Sequence, residues 1–459
     1  MVSHEKNMEL EVSKQNNQMS LIALCLGFFM VIIDINIVNV ALPTMAENLG
    51  GDIAWLQWVV DGYTLTFACL LLSAGNLGDR VGAKKAYLYG LILFVLTSIA
   101  CGIATNFLTL VIFRLLQGIG AAFLVPTSLA LINSSYESKA ERARAIGVWA
   151  SAGGFAAASG PVIGALLTAQ FGWRAVFLIN IPVGIIAILL TVKHVKSIIN
   201  SDHPNGFDLP GQIIGIISIA SLAFSLIEAG RLGWSSAIVI SGLSIFLLTF
   251  IIFVIIEYRT SSPMFPLIFF KSKTFSAAIA VGMVINLGTY GVQFLLPLYF
   301  QHVRGYSVLM TGLAITPLSA LSAIASYFAG RLVSVTSPKT VMVIGLSIGA
   351  VGFLTMLVSG EHTPYIMLLP SLLIIGVGVS LTMPAATVAI INSVPEGRAG
   401  IASGAFNTSR QIGTLIGVAL FGTIISMSVS FVHGMHEALI IAGTLFVLAC
   451  VATFGLINK

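Results

Sequence analysis

The sequence predicts an all-α polytopic membrane protein with fourteen transmembrane helices, arranged as two six-helix repeats with two additional helices between them. The first supporting observation is composition, since 57% of the 459 residues are hydrophobic and only 8% are charged, with a mean hydropathy of +1.01. The second is a series of apolar runs of about 20 residues, each long enough to cross a bilayer. The third is an internal repeat of the two halves. A soluble domain has no use for this much apolar surface, so the chain is placed in a membrane.

The apolar runs follow one another along the whole chain and are joined by short polar links. Short links make consecutive spans antiparallel. We predict fourteen spans, at residues 20–43, 56–75, 84–104, 107–131, 144–168, 174–192, 210–229, 236–257, 274–300, 308–332, 339–358, 365–391, 400–426 and 434–457.

The distribution of basic residues supports this number of spans. If the N-terminus is cytoplasmic, only Arg174, Arg231 and Arg304 of the 22 Lys and Arg residues face outside, while Arg114 and Arg410 lie within spans. A miscounted helix would reverse every later loop and abolish this bias. Both termini are therefore predicted to be cytoplasmic. The net charge of +5 is a topology signal and does not indicate nucleic-acid binding.

The internal repeat divides the chain. SAGNLGDRVGAKKA from Ser73 resembles YFAGRLVSVTSPKT from Tyr327, and GIGAAFLVPTSLALINS from Gly118 resembles GVGVSLTMPAATVAIINS from Gly376. Two bundles related in this way form a parallel repeat. The predicted units are a polar cytoplasmic tail that we expect to be disordered (1–19), an N-terminal bundle (20–195), two additional helices (210–257) and a C-terminal bundle (274–457).

The link between the second and third spans carries the most specific motif of the chain, G-x-L-x-D-R-x-G-x-K-K. Its glycines would let two backbones approach closely, so that the joined spans move as one unit. A basic turn that only fixes topology would need neither the aspartate nor the spaced glycines. The pattern resembles the signature loop of the major facilitator superfamily, which implies a role in conformational gating. The candidate gating residues are Gly75, Gly78, Asp79, Arg80, Gly82 and Lys84.

Further stretches extend the resemblance over nearly the whole chain. Together with fourteen spans, they resemble the drug:proton antiporters of that superfamily, a group that includes quaternary-ammonium and other multidrug exporters. The resemblance implies the major facilitator fold and alternating access. The matching stretches are IDINIVNVALP from Ile33, LVIFRLLQGIGAA from Leu110, SGPVIGALL from Ser159 and WRAVFLINIPVG from Trp173.

Three ionisable residues lie deep in predicted spans of the N-terminal half. At about 1.5 Å per residue, Asp34, Arg114 and Asp61 lie roughly 14, 10 and 8 Å from the outer ends of their spans. Such groups are costly in a bilayer and are candidates for function. Arg114 stays charged and needs a counter-ion, either Asp34 or Asp61. We interpret the three as a proton-coupling site. The alternatives are a static ion pair that fixes helix packing and, for Asp61, a hydrated carboxylate near the interface.

The resemblance assigns roles to several of these residues. Asp34 and Arg114 match motif positions implicated in proton coupling, and Asp61 aligns with an acidic position of some relatives. Asp79 would lock the outward-open state at a helix N-terminus near Gly400, where a carboxylate meets the positive end of a helix.

Small residues crowd the fifth predicted span. They resemble the antiporter motif of the same family, with Ala165 in place of its last glycine. The resemblance implies that this seam favours exchange over leak, whereas ordinary close helix packing is the alternative interpretation. The candidate residues are Gly153, Gly160, Pro161 and Gly164.

The substrate site is predicted near the midplane, between the two halves. The ninth predicted span places Asn286, Tyr290, Gln293 and Phe294 at helical spacing, and Arg410 lies several residues into the thirteenth. Aromatic rings with scattered amides suit a bulky lipophilic ligand. Plain helix packing is the alternative for the ninth span. For Arg410 the alternatives are substrate binding, inner-gate closure and a structural role.

These observations predict proton-coupled efflux of lipophilic, cationic or neutral toxic compounds across a bacterial cytoplasmic membrane. Members of the similar family that handle divalent cations have an acidic residue in the tenth span; this sequence has none there, so the resemblance implies that divalent cations are not the cargo. We expect no metal, no cofactor other than the proton gradient, no nucleic-acid partner and a monomer in the lipid bilayer. Export of one endogenous metabolite is an alternative, as is a non-transporting sensor or scaffold. An enzyme is not expected, because the sequence has no GxxxxGK[ST], nucleophile-elbow or HExxH motif.

Overall fold

The computed structural model describes residues 2–136, 138–197, 208–260, 263, 265, 267–395 and 398–457; the side chains of residues 2–16, Asp79 and Lys139 are outside that description. Within these ranges every regular element is helical. Fourteen helices are long and apolar enough to cross a membrane. The predicted all-α polytopic fold is therefore confirmed.

The N-terminal bundle contains the first six spans. Polar residues cap several of these helices: the Asp52 carboxylate accepts a hydrogen bond from the Trp55 amide, and Asn106 accepts one from Thr109. The sixth span is broken at Ile179, because Pro182 has no amide hydrogen for the carbonyl of Leu178. The helices are α1 (Val2–Leu49), α2 (Ile53–Val81), α3 (Ala83–Gly102), α4 (Phe107–Ser135), α5 (Lys139–Phe171), α6 (Ala175–Leu178) and α7 (Asn180–His194).

Two additional helices and a second bundle complete the chain. The additional pair is α8 (Leu209–Leu232) and α9 (Ala237–Arg259), which pack against each other. The C-terminal bundle consists of α10 (Lys273–Leu298), which continues as a π-helical turn (Tyr299–Val303), α11 (Val308–Val335), α12 (Pro338–Thr355), α13 (Tyr365–Asn392), α14 (Ala399–Met427) and α15 (Phe431–Leu456).

Two helix ends differ from the predicted spans. Helix α1 begins at Val2, within the polar tail, which lacks glycine and proline and contains many good helix formers. The signature segment is not a loop. Helix α2 continues to Val81 and α3 begins at Ala83, so Gly82, with φ of 98°, is the whole link. Only glycine adopts that conformation readily, so this one residue reverses the chain.

Hydrogen bonds join the two bundles towards the side of the turn at residues 50–52, which we call the outer side because the charge bias assigns it to the exterior. There Gln57 of α2 donates hydrogen bonds to the carbonyls of Val418 and Ala419 of α14, at 3.1 and 2.6 Å. Gln301, just beyond α10, donates to the carbonyl of Val40 of α1 at 3.1 Å. These bonds hold the seam between the bundles closed at its outer end.

Helix α8 lies against both bundles, because it packs on α2 and on α14. Near its inner end, Gln212 bonds to Ser73 and donates to the carbonyl of Cys69. Farther out, Thr423 of α14 donates to the carbonyl of Leu226 at 2.5 Å. The first additional helix is therefore integrated into the transporter core, whereas α9 packs on α8 at the periphery.

Candidate functional site

The most deeply buried charges of the N-terminal bundle form one ion pair. Arg114 of α4 and Asp34 of α1 are 2.5 Å apart, from Nη1 to Oδ2, and their side chains are 1% and 0% exposed. Of the two candidate counter-ions for Arg114, the structure selects Asp34. Burial removes the screening that water gives to a surface ion pair, so the charges interact strongly and are costly to separate.

Two neutral side chains form hydrogen bonds to this pair, and a third links the two to each other. Gln117 accepts from Arg114 Nη1 at 2.8 Å and donates to Asp34 Oδ1 at 3.1 Å. Asn180, at the start of α7, donates to the same oxygen at 2.9 Å. Both amides also donate to the Ser98 hydroxyl of α3, which in turn donates to the Phe177 carbonyl. The hydrogen bonds thus join α1, α3, α4, α7 and the Phe177 carbonyl of α6 around this ion pair. We call these five residues, Asp34, Ser98, Arg114, Gln117 and Asn180, the buried polar network.

Aromatic rings and a backbone carbonyl enclose the arginine. Arg114 Nε donates to the Val59 carbonyl at 3.0 Å, and its guanidinium lies 4.3 Å from the ring centre of Tyr63 and 5.8 Å from that of Phe177. The Tyr63 hydroxyl is buried and has no hydrogen-bond partner in the described part of the chain. The ring face therefore stabilises the cation without supplying a charge that could replace Asp34.

Sequence reasoning missed the amides of this network. Gln117 lies three residues after Arg114 and therefore on the same helix face, and Asn180 is in the stretch WRAVFLINIPVG. Both stretches were noted only for their family resemblance. The spacing from Arg114 could have identified Gln117. No spacing in the sequence links Asn180 to Asp34, because the two residues lie on different spans.

Asp61 is separate from the buried polar network. Trp58 and Leu65, three residues before it and four after it, pack in clusters with α8 and α14. The side chain of Asp61 is on this same face of α2. It is 0% exposed, and neither carboxylate oxygen has a hydrogen-bond partner among the described residues. Asp61 is therefore enclosed by protein in this structure and does not lie at an exposed surface.

The glycine-rich segment of α5 packs against α1 beside Asp34. A Cβ atom at Gly160 would lie 2.6 Å from Cβ of Asn36, and one at Gly164 would lie 2.8 Å from the carbonyl oxygen of Ile37. Farther along the same seam, a Cβ at Gly153 would lie 2.3 Å from the ring of Phe28. Only glycine fits at these positions without displacing α1.

Pro161 faces the other bundle. Its carbonyl oxygen would lie 2.6 Å from a Cβ atom at Gly312 of α11. The candidate antiporter segment therefore contacts α1 on one side and the C-terminal bundle on the other. A change in the position of either neighbour would be transmitted to this seam.

The signature segment forms the last turns of α2 and the start of α3. A Cβ at Gly78 would lie 2.7 Å from Cγ2 of Thr127, and one at Gly75 would lie 3.5 Å from Pro126, so both glycines face α4. Lys84 donates to the Val192 carbonyl in the last turn of α7, at 3.0 Å. Arg80 is exposed and takes part in an interaction. The Asp79 side chain lies outside the described part of the structure, as does its expected contact near Gly400.

A second arginine lies in the C-terminal bundle. Arg410 of α14 donates from Nη1 to Asn407 Oδ1 at 3.0 Å and from Nε to Asn286 Oδ1 of α10 at 3.5 Å. Asn286 itself donates to the Thr414 hydroxyl at 3.0 Å. Two of the predicted substrate-binding residues, Asn286 and Arg410, are thus in direct contact, and the sequence did not identify Asn407 and Thr414 as their partners.

The other residues predicted to line the substrate site have different surroundings. Tyr290 packs against the core of the N-terminal bundle, across the seam. Gln293 donates to Asn36 Oδ1 of α1 at 2.8 Å, also across the seam. Phe294 is fully buried in the core of the C-terminal bundle and contributes to packing in this structure. Among the described residues, no group of three or more His, Cys, Asp or Glu side chains could hold a metal ion.

Solved structures show the same fold. The chain superposes on a peptide transporter POT crystallised with sulfate, with a TM-score of 0.72, 15% identity and coverage of 95% of this chain and 93% of that one. It also superposes on an inward-facing bacterial homologue of the human lysosomal transporter Spinster, with a TM-score of 0.69, 17% identity and 96% coverage of both chains.

Sequence comparisons give the family. The chain is 38% identical over 408 residues to the multidrug resistance protein Stp of Mycobacterium tuberculosis, covering 89% of this chain and 76% of that protein. It is 34% identical over 430 residues to a methylenomycin A resistance protein of Bacillus subtilis, covering 94% and 92%. It is 32% identical over 437 residues to one of Streptomyces coelicolor, covering 95% and 92%.

A family model matches most of the sequence. The model of the Major Facilitator Superfamily covers residues 24–418, which includes the buried polar network, the signature segment and Arg410. The chain is therefore a multi-pass membrane transporter that belongs to the Major Facilitator Superfamily, within its fourteen-helix group of drug-efflux proteins.

Proposed function

We propose that this protein exports lipophilic small molecules from a bacterial cytoplasm in exchange for protons, by alternating access between its two bundles. The observation that carries the proposal is the buried polar network around Asp34. A carboxylate in the middle of a membrane span is energetically costly, so its presence there indicates a function. This one has a single cationic partner and two neutral partners, Gln117 and Asn180, that can remain hydrogen-bonded when its charge changes.

The chemistry of the pair suits a proton switch. Arginine does not lose its proton in proteins, so only Asp34 can change charge. When Asp34 takes up a proton, Arg114 loses its counter-ion, although Gln117 and the Val59 carbonyl still accept its hydrogen bonds. Such a change favours a different arrangement of α1 and α4. Because α5 packs tightly on α1, a movement of α1 would also shift α5 and its contact with α11.

The transport cycle follows from this switch. The substrate enters from the inner side while Asp34 is ionised and the outer seam is closed. The protein then opens outward, an external proton neutralises Asp34, and the substrate leaves. One inward proton at 100 mV supplies about 2.3 kcal/mol from the membrane potential alone. In this scheme Asp61 is a second proton-binding carboxylate. Gating is governed by the residues of the signature segment, Gly75, Gly78, Asp79, Arg80, Gly82 and Lys84. Both termini lie on the cytoplasmic side.

The test is substrate-driven proton movement. The purified protein is reconstituted in liposomes with an internal pH dye, and ethidium, chloramphenicol and fusidate are added in turn. We expect a proton flux with at least one compound, and we expect Asp34→Asn to abolish it. Asp52→Asn is the matched control, because Asp52 is an exposed carboxylate at the outer end of α2. Uncoupled substrate movement in the wild type, or wild-type flux in Asp34→Asn, would refute proton coupling at this site.

A narrower function is the second candidate. Two of the relatives are named for resistance to a single compound, methylenomycin A. This protein could therefore export one metabolite instead of many drugs. A resistance panel in a pump-deficient host distinguishes the two, since a multidrug exporter protects against several unrelated compounds and a dedicated exporter against one chemical class.

A further inference from the structure

The C-terminal bundle contains a positive charge near the middle of the membrane and no carboxylate at that depth. Arg410 lies eleven residues beyond the start of α14, which is about 17 Å at 1.5 Å per residue and near the middle of a hydrocarbon core of about 30 Å. The only acidic residues after residue 273 are Glu361, Glu396 and Glu437. In the sequence, Glu361 and Glu396 fall between helices, and Glu437 falls in the first two turns of α15.

The partners of Arg410 position its charge without neutralising it. Asn407 and Asn286 each supply an amide oxygen, and the ring of Phe406 lies 5.9 Å from the guanidinium carbon. The Nη2 atom makes no hydrogen bond within the described ranges. Arg114, by contrast, has Asp34 as a direct counter-ion. A guanidinium with a free donor and no counter-ion is the group that proteins use to bind a carboxylate.

Neither carboxylate in the spans of the N-terminal bundle is the counter-ion of Arg410 in this structure. Asp34 forms an ion pair with Arg114. Asp61 lies nearer the outer side, because Gln57 of α2 is level with Ala419 of α14 and Leu72 is close to Gly404. This antiparallel register places Asp61 level with about residue 415, more than one turn outward of Arg410.

We infer that Arg410, Asn407 and Asn286 bind the acidic group of a lipophilic substrate, so that the cargo carries a carboxylate or a comparable anion. This inference rests on the proposed efflux function and replaces the cationic or neutral cargo that the sequence alone predicts. Tyr290, one turn along α10 from Asn286, packs against the N-terminal bundle. The site therefore lies at the seam, where an apolar ligand body would contact aromatic residues while its anion reaches the guanidinium.

An anionic cargo changes the response to membrane potential. Exchange of one inward proton for one outward monoanion moves two positive charges inward. Exchange for a neutral compound moves one, and exchange for a monovalent cation moves none. Each charge changes the attainable accumulation ratio by about 50-fold per 100 mV. Once the internal pH dye has given the number of protons exchanged per cargo molecule, the potential dependence of transport reports the charge of the cargo.

The test uses three lipophilic probes of different charge: fusidate, which is an anion, chloramphenicol, which is neutral, and ethidium, which is a cation. A pump-deficient bacterium expresses the wild type, Arg410→Gln, Arg410→Lys or the control Arg259→Gln, which removes an exposed arginine from the peripheral helix α9. Membrane levels and size-exclusion profiles establish that each variant folds. We expect resistance to fusidate in the wild type and the control, its loss in Arg410→Gln and a partial loss in Arg410→Lys.

Liposomes with a potassium-clamped potential provide the second readout. Fusidate exchange should follow the two-charge dependence. Export of ethidium or chloramphenicol without fusidate, or fusidate resistance that survives Arg410→Gln, would overturn the anion site and leave proton-coupled efflux standing. Export of none of the probes by folded protein would count against both proposals. Recovery of activity in the double variant Asp61→Asn, Arg410→Gln would show that Asp61 is the counter-ion and would also overturn the site.

Discussion

Removal of one charge from the Asp34–Arg114 pair should cost almost as much stability as removal of both charges. The two side chains are 0% and 1% exposed and 2.5 Å apart, so no water replaces a lost partner. Removing one member of a buried pair typically costs about 3–5 kcal/mol, because the other charge is left uncompensated. We therefore expect Asp34→Asn and Arg114→Gln each to lower the free energy of unfolding by about 3 kcal/mol or more.

The double variant should lose much less than the sum of the two single variants. Two neutral amides in place of the pair leave no buried charge, and Gln117 and Asn180 can still donate hydrogen bonds to the amide oxygen introduced at position 34. We expect a coupling energy of about 2–3 kcal/mol, at the upper end of the range for residues in contact. The measurement is a double-mutant cycle on reversible unfolding in mixed micelles, monitored by far-UV circular dichroism.

The chain supplies its own control cycle. Asp52 and Arg231 form an ion pair at 3.1 Å at the outer surface, with side chains 50% and 45% exposed. Exposed pairs contribute about 0.2–1 kcal/mol. A coupling energy for Asp34 and Arg114 no larger than that of Asp52 and Arg231 would refute the reasoning, because the buried pair would then be no stronger than a solvated one.

Three further predictions concern the surroundings of this pair. Gly164→Leu should abolish exchange without preventing membrane insertion, because a side chain there meets the Ile37 backbone; wild-type proton flux in liposomes would contradict it. Gln117→Leu should reduce proton flux at least about tenfold, since it removes one hydrogen bond to each charge of the pair; a rate within about twofold of wild type would count against the network. Asp61→Asn should raise the unfolding midpoint, because a buried carboxylate without a partner is costly; an unchanged or lower midpoint would indicate an interaction that favours the charge.

The fold was accessible from sequence because bilayer thickness fixes helix length and short links fix helix direction. Predicting the fourteen spans required only these two constraints and the uneven distribution of basic residues between the two sides. The exact ends of the helices were less predictable, because helical hydrogen bonding continues beyond the hydrocarbon core. The signature segment illustrates this: its glycines suggested a loop, yet only Gly82 leaves the helix, and Gly78 lets α2 approach α4 closely.

The candidate site was predictable only for charged residues within membrane spans, which are energetically costly and therefore rare. Asp34 and Arg114 were identifiable because charges are rare in spans. Of their amide partners, Gln117 was identifiable from its spacing to Arg114, whereas Asn180 was not, because it lies on another span and asparagine alone carries little signal. Asp61 shows another limit, since its position in the sequence left both a proton-coupling carboxylate and a hydrated interfacial group open. The integration of α8 between α2 and α14 is what buries it.

The separation of the two arginines bears on how exchange arises. The proton site lies between α1 and α4, and the inferred anion site lies between α10 and α14, so proton and cargo do not compete for one group. Coupling must then come from the arrangement of the bundles that each one favours. Asp34→Asn mimics the protonated state that releases the cargo, so we expect it to lower the affinity for fusidate in detergent through the equilibrium between the bundle arrangements. The loss should be smaller than that in Arg410→Gln, which removes a direct contact, and the variant should no longer exchange protons. The measurement is equilibrium binding of radiolabelled fusidate, with Arg410→Gln as the variant that loses the most affinity. Loss of affinity in Asp34→Asn as large as that in Arg410→Gln would mean that the two sites overlap, and direct competition would then explain exchange.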